Sequence, residues 1–217
     1  MFTSADYRFM DAALALARAQ LGRTAPNPAV GCIIVSDGSI VGWGATADGG
    51  RPHAERQALD RAGELARSGR AYVTLEPCAF QGQTPPCADA LVTAGVGTVL
   101  IGCLDEHPKV AGRGMARLRD AGISVETGLR ESEAARLYAG FFHRLRTGQP
   151  LVYLDANPAR YDAALTPAAM RAPAAELDRL GQAGMNRVCV TPGSALAACL
   201  IEAGLVQTPA TEAHTAR

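Results

Sequence analysis

The chain has 217 residues, 48% of them hydrophobic and 19% charged, enough to bury a core and too weakly charged for a disordered polyelectrolyte. Its 21 Lys and Arg balance 21 Asp and Glu, with no basic block, which argues against a nucleic-acid partner. No run approaches the ~20 apolar residues of a membrane span, so a soluble, cytoplasmic protein with no membrane partner is expected.

The N-terminal stretch carries Met10, Ala13, Leu14, Ala17 and Leu21 at helical spacing and ends at Gly22. Asp6, Arg8 and Asp11 interrupt it, so it reads as an amphipathic surface helix and not as a targeting segment. A proline-rich loop, TAPNPAVG, follows. VGCIIV and IVGWGA flank an Asp37-Gly38 turn and read as a hairpin. A helix starts near His53, with Ala54, Ala58, Leu59, Ala62 and Leu65 on one face. AYVTL is a buried strand, and a helix begins after Pro86. Strand TVLIGC, helix GRGMARLRDAG, strand ISVETG and helix ESEAARLYAGFFHRLRTG complete an alternation that predicts an α/β domain with helices on both faces of one sheet, ending near Gly148.

Beyond it, PLVYLD reads as a strand, and an alanine- and proline-rich stretch with weak periodicity follows. NRVCVTPGSALAACLIEAGLV then reads as strand, turn and helix. Residues 207–217 read as a disordered tail.

Six cysteines occur. Cys32 and Cys103 lie inside apolar runs and read as core residues, as do Cys189 and Cys199. Cys78 and Cys87 lie in loop-like sequence, EPCAFQGQTPPC, that could be a disulfide loop, a metal clamp or two unrelated thiols. His53, followed by Glu55, decides for the clamp. One histidine and two thiolates give Zn²⁺ three ligands and leave the fourth position for water, the arrangement of a catalytic rather than a structural site. Both His53 and Cys87 stand at expected helix starts, which favour thiolate over thiol. Glu55, two residues beyond the histidine, is placed to shuttle a proton of that water. The pattern matches the zinc deaminases, in which H-x-E is followed by P-C-x-x-C, except that eight residues separate the cysteines here.

TAPNPAVGCIIV, GGRPHAE, YVTLEPC, TPPCADAL and KVAGRGMARLRDAGI, in that order, resemble the deaminase domain of the bifunctional riboflavin-biosynthesis deaminase/reductase, over about residues 7 to 155. That family carries the longer cysteine gap. The resemblance implies a three-layer α/β/α sandwich, cytidine-deaminase-like. It also implies hydrolytic loss of the 2-amino group from a diaminopyrimidinone ribosylamine phosphate. By position, His53, Cys78 and Cys87 would bind one zinc ion per chain and Glu55 would move the proton. Asn27, Thr46, Ala54, Phe80, Gln83, Asp105 and His107 would contact a small-molecule pyrimidine. A homo-oligomer, dimer or larger, is expected.

The chain departs from that family's pattern in two places. Phe80 and Gln83 stand where the family has histidine and a cation, which questions phosphate recognition and leaves Arg23, Arg51, Lys109 or Arg113 to compensate. Only about seventy residues follow Gly148, where the family has a reductase domain of about 200. GQPLVYLDA and the late strand–loop–helix resemble pieces of that reductase, so residues 149–206 are expected to be a remnant without its nucleotide-binding core. NADPH binding is therefore not expected, and a saturable NADPH titration would refute this. The other readings are a zinc deaminase of another base, nucleoside or pterin-like ring, a zinc-stabilised module without catalysis, and a nucleic-acid editing deaminase, which zero net charge disfavours.

Overall fold

The computed structural model describes residues 1–82 and 84–206; Gln83 and the expected tail at 207–217 lie outside the described residues. Helix α1 (Ser4–Ala19) starts at a capping box in which Thr3 accepts from the Asp6 N–H and the Asp6 carboxylate accepts from the Thr3 N–H. Strands β1 (Gly31–Ser36) and β2 (Ser39–Ala45) form the expected hairpin, with Asp37 and Gly38 both at positive φ. Helix α2 (Ala54–Ala62), strand β3 (Arg70–Leu75), helix α3 (Cys87–Thr93), strand β4 (Thr98–Cys103), helix α4 (Arg113–Asp120), strand β5 (Ser124–Thr127) and helix α5 (Glu131–Thr147) follow. The sheet runs β2-β1-β3-β4-β5, with β1 antiparallel to both neighbours and β3, β4 and β5 parallel.

Glycines and the two-residue pleat sort the helices onto the two faces. Gly42 and Gly44 pair with Ile34 and Cys32, so these four residues share one face. A Cβ on Gly44 would lie 2.3 Å from the Ala54 carbonyl oxygen, and one on Gly42 2.1 Å from that of Ala58, so α2 lies on that face. α3 packs on α2 and on α4, which places all three in one layer. Gly31 points the other way, where a Cβ would meet the Ala13 oxygen of α1 at 1.9 Å. Gly102 sits against Ala134 of α5, on the same face as Thr74, whose hydroxyl accepts from the Gly31 N–H. α1 and the start of α5 thus form the second helical layer, and the α/β/α order is as the sequence predicts.

Asp6 couples the first layer to the sheet. It is buried, accepts from the Tyr72 hydroxyl at 2.7 Å and faces Arg70 at 3.3 Å. Burial pushes its carboxyl up, but the hydrogen bonds from Thr3 and Tyr72 and the Arg70 charge outweigh it and hold it below its ordinary value. A depressed carboxylate contributes stability above its unfolded value and loses it as pH falls through the folded one. Asp6→Asn is therefore expected to cost about 2 kcal/mol near neutral pH, read by denaturant melts, with the gap to wild type closing below about pH 4.

The described residues fall into two compact units, one of residues Met1–Tyr138 and a second starting at Ala139, a division inside α5 and ahead of the boundary near Gly148 that composition suggests. The second unit has a parallel sheet of β6 (Leu151–Leu154), β7 (Ala163–Ala164) and β8 (Arg187–Val190), in the order β6-β8-β7. With α6 (Pro173–Gln182) and α7 (Ala195–Glu202) it buries Val152, Leu177, Val188, Leu196 and Leu200. One helical-face expectation fails: Leu65 is 60% exposed, because α2 ends at Ala62 and the chain tightens into a 3₁₀ turn that rotates Leu65 off the apolar stripe.

Among the described residues no helix is long and apolar enough to cross a membrane.

Candidate metal centre and active site

The first turn of α2 and the first residue of α3 bring the sequence-predicted ligands together. His53 is the N-cap of α2, Cys87 opens α3, and Cys78 lies in the loop after β3. The Cys87 N–H donates to Cys78 Sγ at 3.3 Å and the Ala88 N–H to the Cys78 carbonyl at 3.1 Å, so the start of α3 holds the Cys78 loop. His53 Nδ1 lies 3.3 Å from Cys87 Sγ and 3.8 Å from Cys78 Sγ, bracketing the roughly 3.6 Å between N and S ligands on a tetrahedral zinc ion. The three candidate ligand atoms all lie within 4.8 Å of one another. No disulfide joins the two cysteines. The donor set and its spacing fit zinc.

The electrostatics suit a cation. Cys87 and His53 lower Cys78 to about 4 against the cost of burial, so the pair carries a thiolate there. Contact with that thiolate and burial hold the Cys87 thiol up. Glu55 is buried in the first turn of α2, with its side chain on Cys87. Burial and the Cys78 charge push it up to about 7, and His53 pulls the other way. A dication among these groups would pull both Glu55 and Cys87 down.

Around this cluster the structure distributes the expected substrate contacts unevenly. Phe80 and His107, from different loops, meet as stacked rings 5.9 Å apart at 17°, with Lys109 Nζ 6.0 Å over the Phe80 ring. Asp105 is buried and accepts from the His107 N–H at 2.7 Å; burial, opposed by that bond, pushes it up to about 6. Asn27 Nδ2 donates to the Gly50 carbonyl at 2.8 Å, three residues before His53, and a Cβ on Gly50 would collide with it. Thr46 and Ala54 are buried, the Thr46 hydroxyl accepting from the Val30 N–H at 3.0 Å. Of the four cations expected to compensate for Phe80 and Gln83, Arg23 is paired with Asp48 at 2.7 Å. Arg51 is beside the cluster, 3.4 Å from His53 Nε2 and donating to Thr84 Oγ1 at 2.9 Å. Sequence reasoning passed over Glu76, whose partners lie 29 to 39 residues downstream.

The sequence model of the cytidine and deoxycytidylate deaminase zinc-binding region matches residues 3–103. A diaminohydroxyphosphoribosylamino-pyrimidine deaminase from Buchnera aphidicola is 47% identical over 145 residues, which are 67% of this chain and 99% of that protein. This chain belongs to the diaminohydroxyphosphoribosylaminopyrimidine deaminase family. Riboflavin biosynthesis protein RibD of Escherichia coli is 53% identical over 149 residues, 69% of this chain but 41% of the relative, so the chain spans about two fifths of that protein's length. The structure of Acinetobacter baumannii RibD aligns with this deaminase-family chain at a TM-score of 0.80 and 29% identity, covering 93% of this chain and 84% of that one. A Thermotoga maritima deaminase/reductase structure aligns at 0.81 and 24% identity, a likeness of fold.

Proposed function

We propose that this chain is a zinc-dependent hydrolase that removes the 2-amino group of a diaminohydroxyphosphoribosylaminopyrimidine, as an early step toward riboflavin. The observation that carries the reading is the His53, Cys78 and Cys87 cluster with a buried carboxylate, Glu55, two residues from the histidine. Zinc held by these three residues supplies the Lewis acidity that makes water nucleophilic near neutral pH. The Glu55 carboxylate accepts the proton that water releases and delivers it to the departing nitrogen; one C–N bond breaks, a C=O forms and ammonia leaves. Burial of Glu55 keeps bulk water from short-circuiting that relay. In this reading the Phe80 ring, stacked on His107, would contact the pyrimidine, Asp105 and His107 would flank the sugar, and Asn27 would lie beside the substrate.

In this proposal each chain holds one zinc ion, needs no NADPH and assembles as a homo-oligomer. In this reading the second unit is a counterpart of part of a RibD chain beyond its deaminase domain. Residues 1–138 are less than two thirds of the chain, so an alignment covering 93% of it runs into that unit.

The phosphate is the part of the substrate that the Phe80 substitution bears on. With Arg51 beside the cluster, the phosphorylated pyrimidine is expected to be turned over about tenfold or more efficiently than its dephosphorylated form, compared as kcat/KM in an ammonia-release assay. Equal values would favour the reading in which the chemistry is kept and the substrate is another base or nucleoside.

A further inference from the structure

Glu76 follows the last residue of β3 and has a buried side chain. It is 3% exposed, yet no lysine, arginine or histidine faces its carboxylate among the hydrogen bonds of the described residues. Four backbone N–H groups do. Oε2 accepts from Asp105 at 3.4 Å and from Gly112 at 2.9 Å. Oε1 accepts from Gly114 at 2.9 Å and from Met115 at 3.1 Å, in the first turn of α4, where the helix dipole favours an anion. One oxygen therefore takes both ends of the loop from Asp105 to Gly112, and the other takes the helix that follows it. The approach is close enough to exclude a side chain: a Cβ on Gly114 would lie 1.9 Å from the Pro77 carbonyl oxygen. That loop carries Asp105, His107 stacked on Phe80, and Lys109 over the same ring. Two residues after Glu76, the same strand exit carries Cys78.

We propose that Glu76 is a positioning residue that closes the 105–112 loop and sets it against the Cys78 loop, so that the substrate-facing edge and the metal ligands share one anchor. The inference rests on the deaminase reading for its kinetic consequence but not for the anchor itself. A capping role alone would stabilise α4 and leave substrate affinity unchanged. The anchor instead makes the geometry of His107 and Phe80 depend on a carboxylate that touches neither.

The test uses the full, zinc-loaded chain and Glu76→Gln, which keeps the shape but turns one acceptor into an NH₂ facing two backbone donors. Amide hydrogen exchange over residues 105–115 is expected to accelerate by about tenfold or more, with β1 unchanged. KM for the phosphorylated pyrimidine is expected to rise by about tenfold, with kcat within about threefold of wild type. Exchange over 105–115 that matches wild type, equal acceleration in β1, or a loss of kcat at constant KM would each overturn the anchor. Should Glu76→Gln fail to fold, Gly114→Ala attacks the same contact from α4, and an unaltered 105–115 segment in that variant is equally fatal. Exchange needs no substrate, so a wild-type chain inactive on the pyrimidine would count against the assigned reaction and not against the anchor.

Discussion

Glu55→Gln is expected to lower kcat for ammonia release by about 10² to 10⁴-fold, the range that a positioned proton-transfer group contributes, while the variant binds zinc as wild type does. The amide fills the same buried space in the first turn of α2 but can neither accept the proton that water releases nor hand it on. Stability should move the opposite way. In the metal-free protein, burial raises Glu55 from 4.5 to about 7, so the folded state is penalised for carrying the charge. That penalty is absent below pH 4.5, grows as pH rises toward 7 and is complete above it, because a raised carboxyl stabilises the fold only when protonated. The glutamine escapes it. Thermal melts of metal-free wild type and variant should therefore coincide in acid and separate toward neutrality, the variant melting higher. Near-wild-type turnover would remove Glu55 from the mechanism.

Cys87→Ala is expected to abolish zinc retention and, with it, turnover. Alanine is a good residue at a helix start in purely local terms, and Cys87 is buried, so the loss reads the ligand rather than the fold. His53 and Cys78 alone leave two donors, and Cys78 also loses the neighbour that most strongly favours its thiolate. Dialysis against a mild chelator followed by elemental analysis should find about one zinc per wild-type chain and almost none in the variant. Wild-type protein stripped by a strong chelator should lose activity and recover it on adding zinc. The paired outcomes separate the readings: in a zinc-stabilised module without catalysis, Cys87→Ala would lower the melting temperature, and neither wild type nor Glu55→Gln would release ammonia.

The candidate metal cluster was legible because its chemistry is local: a histidine and a carboxylate two apart at a helix start, and a cysteine at a second helix start with another in the loop before it, need only their own neighbourhood to be recognised. The layer order was legible from the alternation of elements, and Gly42 and Gly44 on one pleat explain it afterwards. Three features were not legible, for different physical reasons. Glu76 looks like an ordinary charge before a cysteine until the folded sheet brings Gly112 and Gly114 to it. Leu65 continues a helical stripe on paper, and only the early stop of α2 at Ala62 turns it outward. In the alanine- and proline-rich region, the two-residue strand β7 exists through its pairing with β8, and α6 through burial of Leu177 and Leu180, signals too short or too distant for periodicity to register.

The contact between α2 and β2 has a consequence for which substitutions this fold tolerates. His53 and Glu55 stand where they do because the α2 main chain rests on the main chain of Gly42 and Gly44, with no side chain interposed. A position set by side-chain interdigitation drifts whenever a core residue changes size. One set by two backbones in van der Waals contact does not. Aliphatic exchanges elsewhere in the core, such as Ile33 for valine or Leu100 for methionine, can thus accumulate over time without moving His53 and Glu55, whereas a single methyl group at Gly44 displaces them. Variation should be broad in the interior and nearly absent at two small residues on an edge strand that take no part in the chemistry.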